Sequence, residues 1–138
     1  MPFWDRFRST ASQPSGWRYF TRAEFACRHC GRNLIADEFV TLLDELRHQA
    51  GFPLTVSSGY RCPVYNNQVS TTGYDGPHTT GHAADLTLSR HRAWDVLRFA
   101  PDLGFTGIGV QQKGGGRYLH LDTLTEPGHA PRPTVWSY

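Results

Sequence analysis

Two short stretches hold side chains whose types and spacing suit metal chemistry. One is Pro77-His78-Thr79-Thr80-Gly81-His82-Ala83-Ala84-Asp85-Leu86; the other is Tyr118-Leu119-His120-Leu121-Asp122. A catalytic zinc takes three protein donors, neutral imidazole or carboxylate, and leaves a further position open. His78, Asp85 and His120 are the candidate donors. The separation of His78 from Asp85 does not fit one helical face. It fits a loop that delivers His78 and a strand that carries Asp85, with Gly81 free to take a positive φ at the turn. Ala83 and Ala84 are small enough for close approach. Alternation puts Ala83, Asp85 and Thr87 on one strand face. In the second stretch Tyr118, His120 and Asp122 share a face, while Leu119 and Leu121 point into a core. If the two strands pair, His120 meets Asp85. Taken singly, each residue is ordinary, and His29, His48, His91 and His129 are read that way. The set differs because strand phase and loop chemistry agree.

The elements that must position these groups follow from local signals. Residues 1–16 read as an N-terminal arm and linker, with Trp4 and Phe7 in a loosely held segment, and residues 17–138 as a single domain. Thr21 and Glu24 have capping-box spacing, with Phe20 and Phe25 placed as a hydrophobic staple. Asp37 to Ala50 is the clearest helix, with Phe39, Leu42, Leu43, Leu46 and Ala50 on one face and Gly51 as its C-terminal stop. Phe52 to Ser58 reads as a strand, and Tyr60 to Asn67 as a turn with one helical turn after it. Val69 to Pro77 is a loop. Ala83 to Leu88 is a strand, and Ser89 caps a helix from Arg90 to about Ala100, stopped by Pro101. Phe105 to Gln111 and Arg117 to Thr123 are strands joined across Lys113-Gly114-Gly115-Gly116 as a hairpin. The tail from Glu126 to Tyr138 reads as irregular, with Trp136 available to cover the core. The expected fold class is α+β, a small, mainly antiparallel sheet with helices packed on one side.

Composition narrows the function classes. The 138 residues suffice for one core, and 14 glycines and 9 prolines make much of the chain loop. A formal charge of +2 and a sequence pI near 8.6 suit an anionic partner such as cell wall, without the basic stripe of a nucleic-acid binder. No apolar run is long enough to span a membrane, and the N-terminus lacks the apolar core of a signal peptide. The expectation is a monomer made in the cytoplasm, with no nucleic-acid or membrane partner.

The pattern His78-x-x-Gly81-x-Ala83-x-Asp85 with the later His120-x-Asp122 resembles the M15 family of zinc D-Ala-D-Ala carboxypeptidases and peptidoglycan peptidases. VanX-type dipeptidases, phage L-alanyl-D-glutamate endolysins and the hedgehog signalling domain share that fold. Phe20-Thr21-x-x-Glu24-Phe25-x-Cys27, Ser58-Gly59-Tyr60-Arg61-Cys62-Pro63 and Asn66 extend the likeness over about residues 19–123, toward the compact phage and bacterial branch. The resemblance implies a mononuclear Zn2+ on His78, Asp85 and His120, and hydrolysis of peptidoglycan stem peptides by zinc-activated water. It implies Arg61 near the substrate, stabilising the oxyanion; the alternative role is a structural Arg that ties down its loop. It also implies action at the bacterial cell wall, in phage lysis or from a virion. The chain departs from the family at Gly76, where serine is usual, and at the base. Arg117 stands where many members have an acid three before the third ligand, and Tyr118 where others have histidine. Asp122 is the first candidate for catalytic base, with an orienting carboxylate behind His120 as the equal alternative. His82 is the runner-up base.

Cys27-Arg28-His29-Cys30 and Cys62 leave three readings: free thiols, which are preferred; a disulfide from Cys62; or a second zinc with His29 as a further donor. A non-catalytic zinc-stabilised cell-wall-binding or virion module of the same fold is the competing function, kept open by Arg117.

Overall fold

The computed structural model describes residues 16–128 and 131–138. The arm over residues 1–15, with Trp4 and Phe7, and His129 lie outside the described residues. The elements in chain order are a 3₁₀ turn at Arg22–Phe25, α1 (Asp37–Ala50), β1 (Thr55–Ser58), α2 (Pro63–Val69), a 3₁₀ turn at Pro77–Thr80, β2 (Ala83–Thr87), α3 (Arg90–Leu103), β3 (Gly107–Gln111), β4 (Tyr118–Asp122) and β5 (Thr134–Ser137).

The five strands form one mixed sheet in the order β1-β2-β4-β3-β5. All neighbouring pairs are antiparallel except β3 with β5, which run parallel. Alternation along each strand divides the sheet into two faces. Ala84, Leu86, Ile108, Leu119 and Leu121 face the main core with Leu42, Leu43 and Leu46 of α1 and Ala93, Val96 and Ala100 of α3. The opposite face carries Asp85, Tyr118, His120 and Asp122. The short α2 flanks that second face.

Local chemistry explains where elements begin and end. The Glu24 carboxylate accepts from the Thr21 N–H at 3.3 Å, and Phe20 meets Phe25 edge-on with ring centroids 5.4 Å apart. Gly51 ends α1 at φ 80°, a conformation that costs glycine little. Near the start of the described chain, Arg18 donates to Asp44 at 3.1 Å and Glu45 at 2.8 Å, tying that segment to α1.

Three expectations are corrected. α3 does not stop at Pro101 but runs to Leu103 and ends at Gly104, φ 111°. A proline in the last turn removes one N–H and keeps a helical φ, so the turn survives. α2 is a full seven-residue helix, with the Cys62 sulphur accepting from the Tyr65 N–H at its start. The tail is not irregular throughout: Thr134–Ser137 is a strand, and its Trp136 lies on the metal-donor face, not over the apolar core.

Candidate metal centre

β2 and β4 pair so that Asp85 stands opposite His120 and Ala83 opposite Asp122. The 3₁₀ turn at Pro77–Thr80 brings His78 to the same place, and Gly81 leaves it at φ 78°. A Cβ at Gly81 would lie 2.1 Å from the Leu34 carbonyl oxygen, so both φ and space require glycine there.

Hydrogen bonding fixes which imidazole nitrogens carry protons. His78 Nδ1 lies 2.8 Å from the Gly59 carbonyl oxygen, which only accepts, so Nδ1 is the N–H and Nε2 holds a lone pair. His120 Nε2 lies 2.8 Å from Asp122 Oδ2. That carboxylate is also gripped by Arg132 through Nε at 3.0 Å and Nη2 at 2.9 Å, so it is ionised and His120 Nε2 donates. His120 Nδ1 is then the second lone pair.

The two lone pairs and Asp85 Oδ1 converge. His120 Nδ1 is 3.3 Å from His78 Nε2 and 3.1 Å from Asp85 Oδ1, and His78 Nε2 is 3.2 Å from Asp85 Oδ1. Three acceptors this close repel unless a proton or a metal cation lies between them. Donors bonded to a tetrahedral zinc at about 2.0–2.1 Å would be roughly 3.3 Å apart, so the donor set fits the ion in type and spacing. All three residues are buried.

The electrostatics differ between the two rings. Burial pushes the His78 pKa down, and hydrogen bonding to Asp85 only partly offsets it. Burial acts the same way on His120, but Asp122 and Asp85 outweigh it and leave its pKa raised. The outer nitrogen of His78 meets a neutral carbonyl, whereas that of His120 meets a carboxylate. Against the effect of burial, His120 and His78, in the forms that carry a proton on the inner nitrogen, hold Asp85 well below the usual carboxylate range. His120 and Arg132 do the same for Asp122.

Asp122 sits behind His120, away from the open cleft. Its oxygens accept from His120, twice from Arg132, and from the Leu124 N–H at 3.3 Å, and the residue is fully buried. Of the two roles left open by the sequence, this arrangement suits the orienting one. His82 is not brought into the centre. Its Nε2 pairs with Glu38 at 3.1 Å and its Nδ1 lies 3.0 Å from the Thr80 carbonyl. Arg117 donates to the Gly114 carbonyl within the hairpin.

Arg61 is tied to its own loop and to the centre. Its Nε donates to Ser58 at 3.1 Å, Nη1 to Asn66 at 3.2 Å and Nη2 to Asp85 Oδ2 at 3.2 Å. Those bonds use three of five N–H groups, and the guanidinium still lines the cleft.

The cleft has a volume of about 760 Å³, with Asp75, Tyr118, Arg132, Trp136 and Tyr138 around the three donors. Trp136 packs on His120 with ring centroids 5.1 Å apart, and Arg132 lies over the Trp136 ring. Burial raises the pKa of both Tyr118 and Tyr138, so their phenols stay protonated as donors. Among the described lining residues, the carboxylates are Asp85 and Asp75. Asp75, Arg132 and Tyr138 were not anticipated. Asp75 is hidden in a Thr/Gly-rich loop. Arg132 sits between prolines, where only the β-rich run Thr134-Val135-Trp136 hints at nearby order. The pattern Gly107-Ile108-Gly109-Val110 was an available signal: small residues alternate on the centre's face because Asp122 and Trp136 fill the space above them. A Cβ at Gly107 would lie 2.2 Å from Asp122 Oδ1. Gly107→Ala should therefore cost about 1–3 kcal/mol by overpacking. Chemical denaturation checks this, and an unchanged midpoint would contradict the packing.

The family described as Peptidase M15 matches residues 18–122. The chain belongs to the M15 peptidase family. The match spans the segment from Arg18 through β4, and so covers all three donors and Arg61. Among curated proteins none matches. Family and donor group together make this a metallopeptidase domain. No described helix is long and apolar enough to cross a membrane.

Proposed function

We propose that this M15 peptidase is a zinc enzyme that hydrolyses peptidoglycan stem peptides at the bacterial cell wall, as a D-Ala-D-Ala carboxypeptidase or L-alanyl-D-glutamate endopeptidase. The observation that carries the reading is the convergence of His78 Nε2, His120 Nδ1 and Asp85 Oδ1 at the floor of an open cleft beside a guanidinium. When bound there, zinc supplies polarisation of a scissile carbonyl and acidification of water at neutral pH.

The chain's own residues do the rest. His78 and His120 keep their lone pairs on the cleft because Gly59 and Asp122 hold the opposite nitrogens. Asp122, anchored by Arg132, is a positioning group for His120. Arg61 has N–H groups left for the developing oxyanion or for a peptide carboxylate. Tyr118 and Tyr138 add neutral O–H donors on the same wall. Asp75 is the carboxylate proposed to take a proton from attacking water and return it to the leaving amine. A cationic rim at Arg61 and Arg132 suits the carboxylates of stem peptides.

Digesting purified peptidoglycan and identifying the released muropeptides by mass spectrometry tests the reading. The expected products are new amino and carboxyl termini at one stem-peptide bond. Asp75→Asn should lower kcat by about 10²–10⁴-fold with metal content unchanged. Absence of any cleavage by zinc-loaded protein would favour the binding-module alternative, and full activity in Asp75→Asn would remove Asp75 from the base role.

A further inference from the structure

The three cysteines lie outside the cleft and have no part in the chemistry above. Their Sγ atoms all lie within 4.8 Å of one another. Sulphurs on one tetrahedral zinc are roughly 3.8 Å apart, for bonds of about 2.3 Å, so a small movement closes the set. The three residues are separate thiols, Cys27 and Cys62 buried and Cys30 exposed.

The backbone around them makes a tight turn. Cys27-Arg28-His29-Cys30-Gly31-Arg32 folds back on itself: the Cys27 N–H donates to the Arg32 carbonyl at 2.8 Å, and the Gly31 N–H to the Cys27 carbonyl at 2.9 Å. Gly31 takes φ 78°, which lets the chain turn directly after the second cysteine. The Cys62 N–H donates to the Cys27 sulphur at 3.4 Å, and the Tyr65 N–H to the Cys62 sulphur at 3.5 Å. His29 lies beside Cys62. Its Nδ1 lies 3.9 Å from the Cys62 sulphur, and its ring stacks on Tyr65 with centroids 5.3 Å apart.

We propose that Cys27, Cys30 and Cys62, with His29 beside them, form a second metal site that takes a thiophilic divalent ion such as zinc and serves structure. Binding replaces thiol protons, which pass to solvent, with metal–sulphur bonds. The site joins the loop after the first 3₁₀ turn to the start of α2, across 35 residues of chain. Arg61 immediately precedes Cys62, and Gly59, whose carbonyl orients His78, is three residues before it. The metal would thus brace one wall of the cleft from behind. An odd thiol count, which leaves one cysteine over in any disulfide scheme, fits a three-sulphur site.

Cobalt substitution of the reduced full-length chain tests this without reading activity. Thiolate ligation gives a near-ultraviolet sulphur-to-cobalt charge-transfer band, which imidazole and carboxylate do not. The expected result is a band in the wild-type chain, lost in Cys30→Ser and kept in His120→Ala. Zinc content should fall by about one ion per chain in Cys30→Ser, with far-ultraviolet circular dichroism retained and the thermal midpoint lowered. Cys30 is exposed, so its replacement should fold. Titrating the wild-type chain with a mercurial reads the same point without a variant, because it releases only thiol-bound zinc. A folded, reduced protein with no charge-transfer band, or a band unchanged in Cys30→Ser, would overturn the proposal. Loss of hydrolysis in His120→Ala with the band intact separates this site from the cleft.

Discussion

His120→Ala should abolish hydrolysis and empty the cleft of metal while the fold survives. The substitution removes one of three converging donors and leaves His78 Nε2 and Asp85 Oδ1 as a two-donor remnant. The loss in affinity should exceed the ~10–100-fold that follows removal of an outer partner. The sheet should persist, because Leu119 and Leu121 on either side keep their place in the core. Metal analysis and peptidoglycan digestion, run on the same preparation, check the result; full activity would dismiss the assigned centre. Metal uptake by the wild-type chain should also strengthen as pH rises through neutrality. His120 in the metal-free protein has a pKa above its unfolded value of about 6.5. Its proton therefore contributes stability to the metal-free fold below about pH 6.5, and that contribution is lost as pH rises through the folded pKa. The metal must displace that proton, so its affinity moves in the opposite direction. His78, with a lowered pKa, adds little competition in this window. A chelator competition with no pH dependence would contradict the proton assignment.

Asp122→Asn is expected to injure metal binding and stability more than turnover. The carboxylate is the acceptor for His120 Nε2 and for both bonding arms of Arg132. An amide can present its NH₂ to Nε2, which would move the imidazole proton to Nδ1 and remove the lone pair aimed at the metal. Zinc affinity should drop by about 10–100-fold, with kcat at saturating zinc changed much less. Breaking a buried ion pair also leaves the Arg132 guanidinium without its anion, at a cost of about 3–5 kcal/mol. Chelator competition, steady-state kinetics with added zinc, and urea denaturation separate the three effects. The reverse outcome, kcat lost with affinity intact, would return Asp122 to the role of base.

Much of this arrangement was legible from residue order. Alternation put Asp85 and His120 each on a defined strand face, and the pairing of β2 with β4 sets them opposite each other. The capping box at Thr21, the bounds of α1 and the left-handed turn at Gly81 were likewise local, since each depends on residues within a few positions. Pro101 misled because its cost depends on where in a helix it falls, and Gly104 supplied the real stop. The tail misled because a short parallel strand owes its existence to a partner, β3, more than 20 residues earlier.

Residue types and their periodicity therefore determined the candidate donors, the strand phase and the α+β class. Side-chain direction and long-range contact were needed for the rest. Asp122 has the same strand face as His120, yet only the approach of Arg132 from β5's flank shows that it points behind the imidazole. Gly107 and Gly109 acquire meaning only when Asp122 and Trp136 occupy the space above them. Three cysteines became a cluster only when the loop at Cys27 met the start of α2. The physical reason is common to all three: a period specifies which way a residue faces, and tertiary packing specifies what it faces.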